Sequence, residues 1–115
     1  MLFGNINRGM EEYRATPGAI LVDVREVDEF ASGHIPNAVN EPLSPIKQTT
    51  CPKGKPLFLY CLRGTRSKRA ARILRSMGHT VKSIGGIGRN IRRIESGARM
   101  CGFYSGSEEE WWILD

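Results

Sequence analysis

One cysteine lies where a short apolar segment gives way to a helix-like segment. Residues 57–60 are apolar, Cys61 follows them directly, and residues 62–67 lead through a glycine-containing turn into a helical pattern over 67–77. Backbone N–H groups converge at the start of a helix, and the helix dipole adds positive potential there. Such a place stabilises a thiolate and holds an anion beside it. The segment therefore predicts a nucleophilic cysteine that acts on a negatively charged compound.

The composition fits one small domain. The chain has 115 residues, of which 40% are hydrophobic, enough for a single modest core. No apolar run approaches the roughly 18 residues that span a bilayer, and the first residues lack the order of a secretion signal. We therefore expect a soluble, cytoplasmic protein with no membrane partner. The three cysteines, Cys51, Cys61 and Cys101, show neither a disulfide framework nor a zinc-binding spacing.

Basic residues are concentrated around Cys61. Residues 42–94 contain thirteen Lys and Arg and no Asp or Glu, whereas the remainder carries all twelve acidic residues and only four basic ones. A surface of one sign raises the local concentration of oppositely charged ligands. We interpret Arg72 and Arg75 as part of a solvated helix face, and we interpret Arg63 and Arg66 as functional.

Strand-like and helix-like segments alternate along the chain. Ile6, Met10 and Tyr13 recur at helical spacing, and Gly85-Gly86 would allow a sharp turn. The patterns predict helices over 1–16, 26–32 (with Val27 and Phe30 inward), 67–77 and 88–94, one helical turn near 44–48, and strands over 19–24, 38–40, 57–60 and 80–84. The alternation favours an α/β fold with a mostly parallel sheet. Ligands of such sheets bind at the carboxyl ends of strands, where Cys61 and Arg25 lie.

The last residues follow no clear helix or strand pattern. We divide the chain into a domain over 1–94 and a tail over 95–115, which contains three successive glutamates before Trp111 and Trp112. Two tryptophans are costly to leave in water. We expect them to pack on the domain or on a second copy of the chain, which would give a homodimer. Alternatively, the acidic run lies over the basic residues.

Three segments together resemble the rhodanese-like domain family of sulfurtransferases. The first runs from Asp23-Val24-Arg25-Glu26 to the turn and short strand over 33–40, and the second is the segment over 60–67 that contains Cys61. The third and weakest is Gly85-Gly86-Ile87. Their order and spacing are similar to those of one family domain over roughly residues 3–94.

The resemblance implies a parallel five-stranded sheet flanked by helices on both faces. It also implies that Cys61 carries a transferable sulfur as a persulfide. The sulfur would come from a small anionic donor such as thiosulfate and pass to cyanide or to a protein or low-molecular-weight thiol. No metal and no organic cofactor are implied.

Sulfur transfer through a Cys61 persulfide would give the residues after Cys61 specific roles. Backbone N–H groups of the loop can share the charge of a thiolate or persulfide, and Gly64 permits the positive φ that a tight loop needs. The hydroxyls of Thr65 and Ser67 can donate to the sulfur, and Ser67 can also cap the helix. The predicted substrate-binding residues are Leu62, Arg63, Gly64, Thr65, Arg66, Ser67 and Arg25.

The arginines differ in their expected tasks. Arg63 projects from the loop and can hold a sulfonate or sulfite oxygen by a charge-assisted hydrogen bond. Arg66 is expected to brace the loop or to make a second anion contact. Arg25 is expected to pair with Asp23 and to add positive field at the rim of the pocket.

The remaining histidines and cysteines receive structural interpretations. His34 lies in a turn and is expected to bond the backbone, and His79 is expected to be exposed. Cys51 is interpreted as an incidental exposed thiol. Cys101 would resolve a Cys61 intermediate only if the tail folds back, and we do not favour that alternative.

Three other functions remain as alternatives. A phosphatase or arsenate reductase on a similar scaffold has five residues between its cysteine and arginine, whereas four separate Cys61 from Arg66. A non-catalytic binding module would keep the fold but often loses the cysteine. Nucleic-acid binding is not expected, because aromatic residues are not interleaved with the basic ones.

Overall fold

The computed structural model describes residues 6–88. In chain order the helices are α1 (Ile6–Ala15), α2 (Val27–Ser32) and α3 (Thr65–Ser76), and the strands are β1 (Ile20–Asp23), β2 (Val39–Asn40), β3 (Leu57–Cys61) and β4 (Val81–Gly86). A 3-10 helix, Ile46–Gln48, precedes β3. Within this part of the chain no helix is long and apolar enough to cross a membrane.

The strands form a parallel sheet in the order β2-β1-β3-β4. The predicted α/β fold with a parallel sheet is confirmed. The expected number of five strands is wrong for residues 6–88, where the sheet has four. β3 occupies an inner position and is buried at all five residues, which explains why its sequence is a continuous apolar run rather than an alternating one.

Helices cover both faces of the sheet. Ile6 and Met10 of α1 are buried against one face, and Tyr13 meets Phe58 edge to face at a centroid distance of 5.9 Å. On the other face α3 buries Ala70, Ala71 and Leu74. The helical face predicted from the spacing of Ile6, Met10 and Tyr13 is confirmed. The two faces hold separate apolar clusters, so β3 is fixed from both sides.

Two of the predicted boundaries are wrong near the cysteine. α3 begins at Thr65 rather than at residue 67. Gly85 and Gly86 do not form a turn but end β4, where the pairing with β3 shifts between Leu59 and Tyr60. A glycine in a strand often marks such an irregularity or a close approach of another backbone.

Two side chains are placed differently from their prediction. Val27 is 65% exposed, because α2 is short and buries none of its residues. His79 is 5% exposed rather than open to solvent, since its backbone N–H bonds back to Leu74 and holds it against the end of α3. The helix predicted over 88–94 and the tail over 95–115 lie outside the described residues.

Candidate active site

Cys61 ends β3 at the carboxyl edge of the sheet. Its Sγ accepts a hydrogen bond from the backbone N–H of Gly64 at 2.9 Å and a longer one from that of Ser67 at 3.4 Å. The residue is 1% exposed, and its side chain also contacts the apolar cluster beneath α3. The predicted cysteine thus lies on the floor of a loop whose amides point towards its sulfur.

The sulfur serves as the acceptor that the start of α3 requires. Gly64 precedes the helix with φ +101°, a left-handed conformation that suits glycine, and no side chain in the described part of the chain caps this end. The first N–H groups of a helix have no partner inside the helix. Here the amide of Ser67, in the first turn, is directed at Sγ. Negative charge on the sulfur therefore faces the positive end of the helix dipole.

The hydroxyl of Ser67 does not have the predicted role. It donates to the carbonyl of Gly64 at 3.0 Å and lies 2.7 Å from the hydroxyl of Ser83 on β4. Ser67 is fully buried. It therefore neither caps the helix nor donates through its side chain to the sulfur, and instead ties the loop to β4. Thr65 is an exposed residue, and the donation predicted for its hydroxyl stays a prediction.

Two amides at the mouth of the loop remain available. Within residues 6–88 the N–H groups of Thr65 and Arg66 have no hydrogen-bond acceptor. The first bond that closes onto the helix is donated by Lys68 to Gly64, at 3.1 Å. Unpaired N–H groups at a helix start form a ready anion-binding position, and these two follow the amide of Gly64 that already bonds Sγ.

The residues at the end of β4 and directly after it contact the backbone of the cysteine loop. The amides of Ile87 and Gly88 donate to the carbonyls of Cys61 and Leu62 at 3.0 and 2.9 Å. A Cβ on Gly86 would overlap the Leu62 carbonyl oxygen and lie 2.7 Å from the Cα of Arg63. Only a residue without a side chain permits this approach. The sequence predicts a turn at the double glycine and gives no sign of its contact with the loop.

Arg66 braces the loop against α2. Its guanidinium binds both carboxylate oxygens of Glu29, at 2.7 and 3.1 Å. The hydrogen bond from Arg66 is the main reason that the pKa of Glu29 lies below its usual range. Glu29 also accepts the backbone N–H of Glu26 at 2.8 Å and so fixes the start of α2. The ion pair with Glu29 supports the first of the two roles predicted for Arg66, a brace for the loop, and the second, an anion contact, stays a prediction.

Arg25 is 1% exposed and lies inside the domain rather than at an open rim. It pairs with Asp23 at 2.9 Å and donates to the carbonyl of Gly33 at 2.6 Å. Burial alone would lower the pKa of Arg25, but the hydrogen bond and the charge of Asp23 outweigh burial and raise it. The predicted ion pair is confirmed. The side-chain amide of Asn40 adds bonds to the carbonyls of Asp23 and Arg25, both at 3.0 Å, and fixes this loop further.

Arg63 is the exposed arginine of the loop. Its side chain has no hydrogen bond or ion pair within residues 6–88. It is therefore available to a ligand, unlike Arg66 and Arg25, whose guanidinium groups already bind carboxylates.

The remaining thiols and imidazoles stand apart from this loop. His34 bonds the carbonyl of Phe30 at 2.9 Å and stacks on its ring, which confirms the structural interpretation. Cys51 is partly buried against the α3 cluster rather than openly exposed. Cys101 lies outside the described residues, and its predicted role stays a prediction.

Comparison with known proteins agrees with this geometry. The sequence profile of the Rhodanese-like domain family matches residues 7–88. The uncharacterized protein YqhL of Bacillus subtilis is 49% identical over 73 residues, which cover 61% of this chain and 58% of that protein. A sulfurtransferase of Allochromatium vinosum is 38% identical over 66 residues, covering 56% of this chain and 62% of that protein. Both matches span less than two thirds of the relatives' length.

Solved structures show the same fold. A human single-domain sulfurtransferase, TSTD1, superposes with a TM-score of 0.58 at 27% identity, covering 69% of this chain and 85% of that one. A rhodanese-related protein from Thermoplasma volcanium superposes with a TM-score of 0.64 at 27% identity, covering 76% and 88%. The chain belongs to the rhodanese-like domain family. Several of its relatives are sulfurtransferases by name.

Proposed function

We propose that this protein is a sulfurtransferase that carries sulfane sulfur on Cys61. The supporting observation is the position of Sγ, which accepts amides of Gly64 and Ser67 at the start of α3. Charge on a sulfur at this position is stabilised by oriented N–H dipoles that need no reorganisation during the reaction. Nucleophilic attack by a thiolate therefore requires no adjacent general base.

The proposed first step consumes a donor such as thiosulfate. The Cys61 thiolate attacks the outer sulfur of thiosulfate, an S–S bond forms to Cys61, and the donor's S–S bond breaks. Sulfite leaves with the bonding electron pair, and the enzyme keeps a persulfide anion. In the second step a cyanide or a thiolate attacks the terminal sulfur and the Cys61 thiolate is the leaving group.

The amides of Thr65 and Arg66 give the added sulfur a place in this scheme. They are unpaired within residues 6–88 and lie along the chain between Gly64 and Ser67, the two residues whose amides hold Sγ. A persulfide extends one atom outwards from Sγ, and its terminal anion would meet these donors. The spacing of four residues between Cys61 and Arg66, with Arg66 bound to Glu29, favours a single sulfur atom over a tetrahedral phosphate.

Intact-mass measurement tests the proposal. We expect the reduced protein to gain the mass of one sulfur atom on treatment with thiosulfate and to lose it on treatment with cyanide or dithiothreitol. An aryl phosphate assay on the same preparation tests the phosphatase alternative. A protein that takes up no sulfur from thiosulfate or from a low-molecular-weight persulfide, yet folds normally, would instead support a non-catalytic binding module.

Replacing Arg63 by alanine should weaken donor binding. Its guanidinium is exposed and unpaired within residues 6–88, so it can bind a sulfonate oxygen, and loss of such a charge-assisted bond corresponds to about a tenfold rise in KM for thiosulfate. We expect kcat to change less than KM. Arg72→Ala, which removes an exposed arginine farther along α3, is the control for loss of general positive charge. Equal KM values in the two variants would remove Arg63 from donor binding.

A further inference from the structure

A groove lies at the carboxyl edge of the sheet, between α3 and the segment that follows β2. Its volume is about 340 Å³, within the range of ligand-binding sites. Six residues line it: Glu26, Leu43, Ser44, Arg66, Arg69 and Ile73. The sulfur transfer proposed above gives this groove no role.

Two apolar side chains line the groove from different elements. Leu43 comes from the segment after β2 and Ile73 from α3, and both are half-buried against the apolar cluster beneath α3. The backbone N–H of Leu43 donates to the carbonyl of Val24 at 3.2 Å, which fixes the segment after β2 to the residue after β1. The groove is therefore held in place by the sheet and keeps part of its apolar surface open.

Unused positive charge lies on the α3 side of the groove. Arg69 and Arg72 are exposed and three residues apart on α3, a spacing that makes them neighbours on the helix surface. Neither side chain has a hydrogen bond or an ion pair within residues 6–88. By contrast, Arg66 is bound to Glu29, and Glu26 begins the same short helix α2 as Glu29. Negative charge at the groove thus lies on the α2 side, and free positive charge lies on the α3 side.

The chain itself contains a segment of complementary chemistry. Glu108-Glu109-Glu110 come directly before Trp111-Trp112, in a part of the chain outside the described residues. Residues 42–88 contain ten Lys and Arg and no acidic residue, whereas residues 95–115 contain five acidic residues and one basic one. Opposite charges attract these two parts of the chain. The tryptophans in addition gain free energy from any apolar surface that removes them from water.

The acidic segment is connected to the domain at the same edge of the sheet as the groove. The backbone N–H of Gly88, the last described residue, donates to the carbonyl of Leu62 in the cysteine loop at 2.9 Å. Nineteen residues, 89–107, lie between Gly88 and Glu108. Fully extended, they would span roughly 60 Å, about twice the diameter of a small domain. Since binding within one chain is intramolecular, even a weak contact is populated.

We propose that this groove is the docking site of residues 108–112 of the same chain. A tryptophan of that segment would insert between Leu43 and Ile73, because an aromatic side chain buries a large apolar area at a single position. The glutamates before it would pair with Arg69 and Arg72 at the rim of the groove, away from the carboxylates of α2. The inference is independent of the chemistry proposed for the cysteine.

Tryptophan fluorescence tests the inference, because Trp111 and Trp112 are the only tryptophans of the chain. Quenching by acrylamide, which is uncharged, is compared between the full chain and a free peptide of residues 106–115. We expect weaker quenching in the full chain, since docking shields an indole. In Arg69→Glu/Arg72→Glu the ratio of docked to undocked segment should fall about tenfold, because two ion pairs are replaced by repulsion.

A matched control and a charge exchange make the test specific. Lys53→Glu/Lys55→Glu changes the net charge by the same amount at two exposed residues before β3, at the opposite edge of the sheet. Quenching in this variant should equal that of the wild type. Adding Glu109→Lys/Glu110→Lys to the arginine double variant should restore the shielding, because the pairs then form with their charges exchanged. Circular dichroism should show the wild-type fold in every variant, since the substituted domain residues are exposed.

Three results would overturn the inference. The first is quenching in the wild type as strong as in the free peptide. The second is an equal effect of the arginine and lysine double substitutions, which would show a response to net charge alone. The third is shielding that disappears on dilution, which would assign the segment to a second copy of the chain. Sulfur uptake from thiosulfate is measured separately by mass, so these results leave the proposed function standing.

Discussion

Cys61→Ser should abolish sulfur transfer and leave the fold unchanged. Sγ is the atom towards which the amides of Gly64 and Ser67 are directed. A serine hydroxyl can still accept the Gly64 N–H, but it is almost fully protonated at neutral pH and cannot hold a stable sulfane sulfur. We expect no gain of sulfur mass with thiosulfate and no thiocyanate formation from cyanide. Circular dichroism and the melting temperature should remain close to those of the wild type.

Cys51→Ser is the matched control for this substitution. Cys51 is the second free thiol among residues 6–88, and it is half-buried in the segment before β3. We expect Cys51→Ser to take up one sulfur at the wild-type rate. Transfer from thiosulfate that persists in Cys61→Ser would rule out Cys61 as the carrier, and a loss that appears only in Cys51→Ser would move the chemistry to the other thiol.

The position of Cys61 at the end of a strand and before a helix could be predicted from sequence because its signal is local. A short apolar strand, a cysteine, a glycine and a helix follow one another within about a dozen residues, and the conformation of each depends mainly on its neighbours. Of the ion pair that braces this loop, only one of the two residues could be predicted. Arg66 could be assigned as a brace from its position, but its partner Glu29 is 37 residues away and is set by how α2 packs.

The sequence predictions are wrong at positions where tertiary packing determines the conformation or the burial of the residue. Val27 fits the apolar pattern of a helix, but no neighbouring element among residues 6–88 covers that side of α2, so Val27 is 65% exposed. His79 follows a helix-ending glycine, a position that is commonly open, yet its backbone bond to Leu74 draws it inwards. Gly85 and Gly86 suit a turn by propensity. In the structure they end β4, where a side chain on Gly86 would overlap the backbone of the cysteine loop.

Gly86→Ala should disrupt the cysteine loop and cause the second large loss of activity. The added Cβ would overlap the carbonyl oxygen of Leu62, lie 2.6 Å from its carbon and 2.7 Å from the Cα of Arg63. These are backbone atoms, so no side chain can rotate away, and the loop itself must move. A displacement of about 1 Å at a reacting group can lower the rate roughly a hundredfold. We expect a loss of that order in the rate of sulfur uptake, and overpacking should also lower the free energy of unfolding by about 1–3 kcal/mol.

Substitutions at two other glycines distinguish an effect on the geometry of the cysteine loop from a general loss of stability. A Cβ on Gly54 meets no atom of residues 6–88 within 4 Å, so Gly54→Ala should alter neither property. A Cβ on Gly9 would overlap the Cβ of Ile84 and lie 2.6 Å from its Cγ2, where α1 packs on β4. Gly9→Ala should therefore lower the melting temperature as Gly86→Ala does, yet take up sulfur at nearly the wild-type rate at a temperature where both variants are folded. If Gly9→Ala and Gly86→Ala lost activity equally at that temperature, the effect would come from destabilised β4 and not from the approach of Gly86 to the loop.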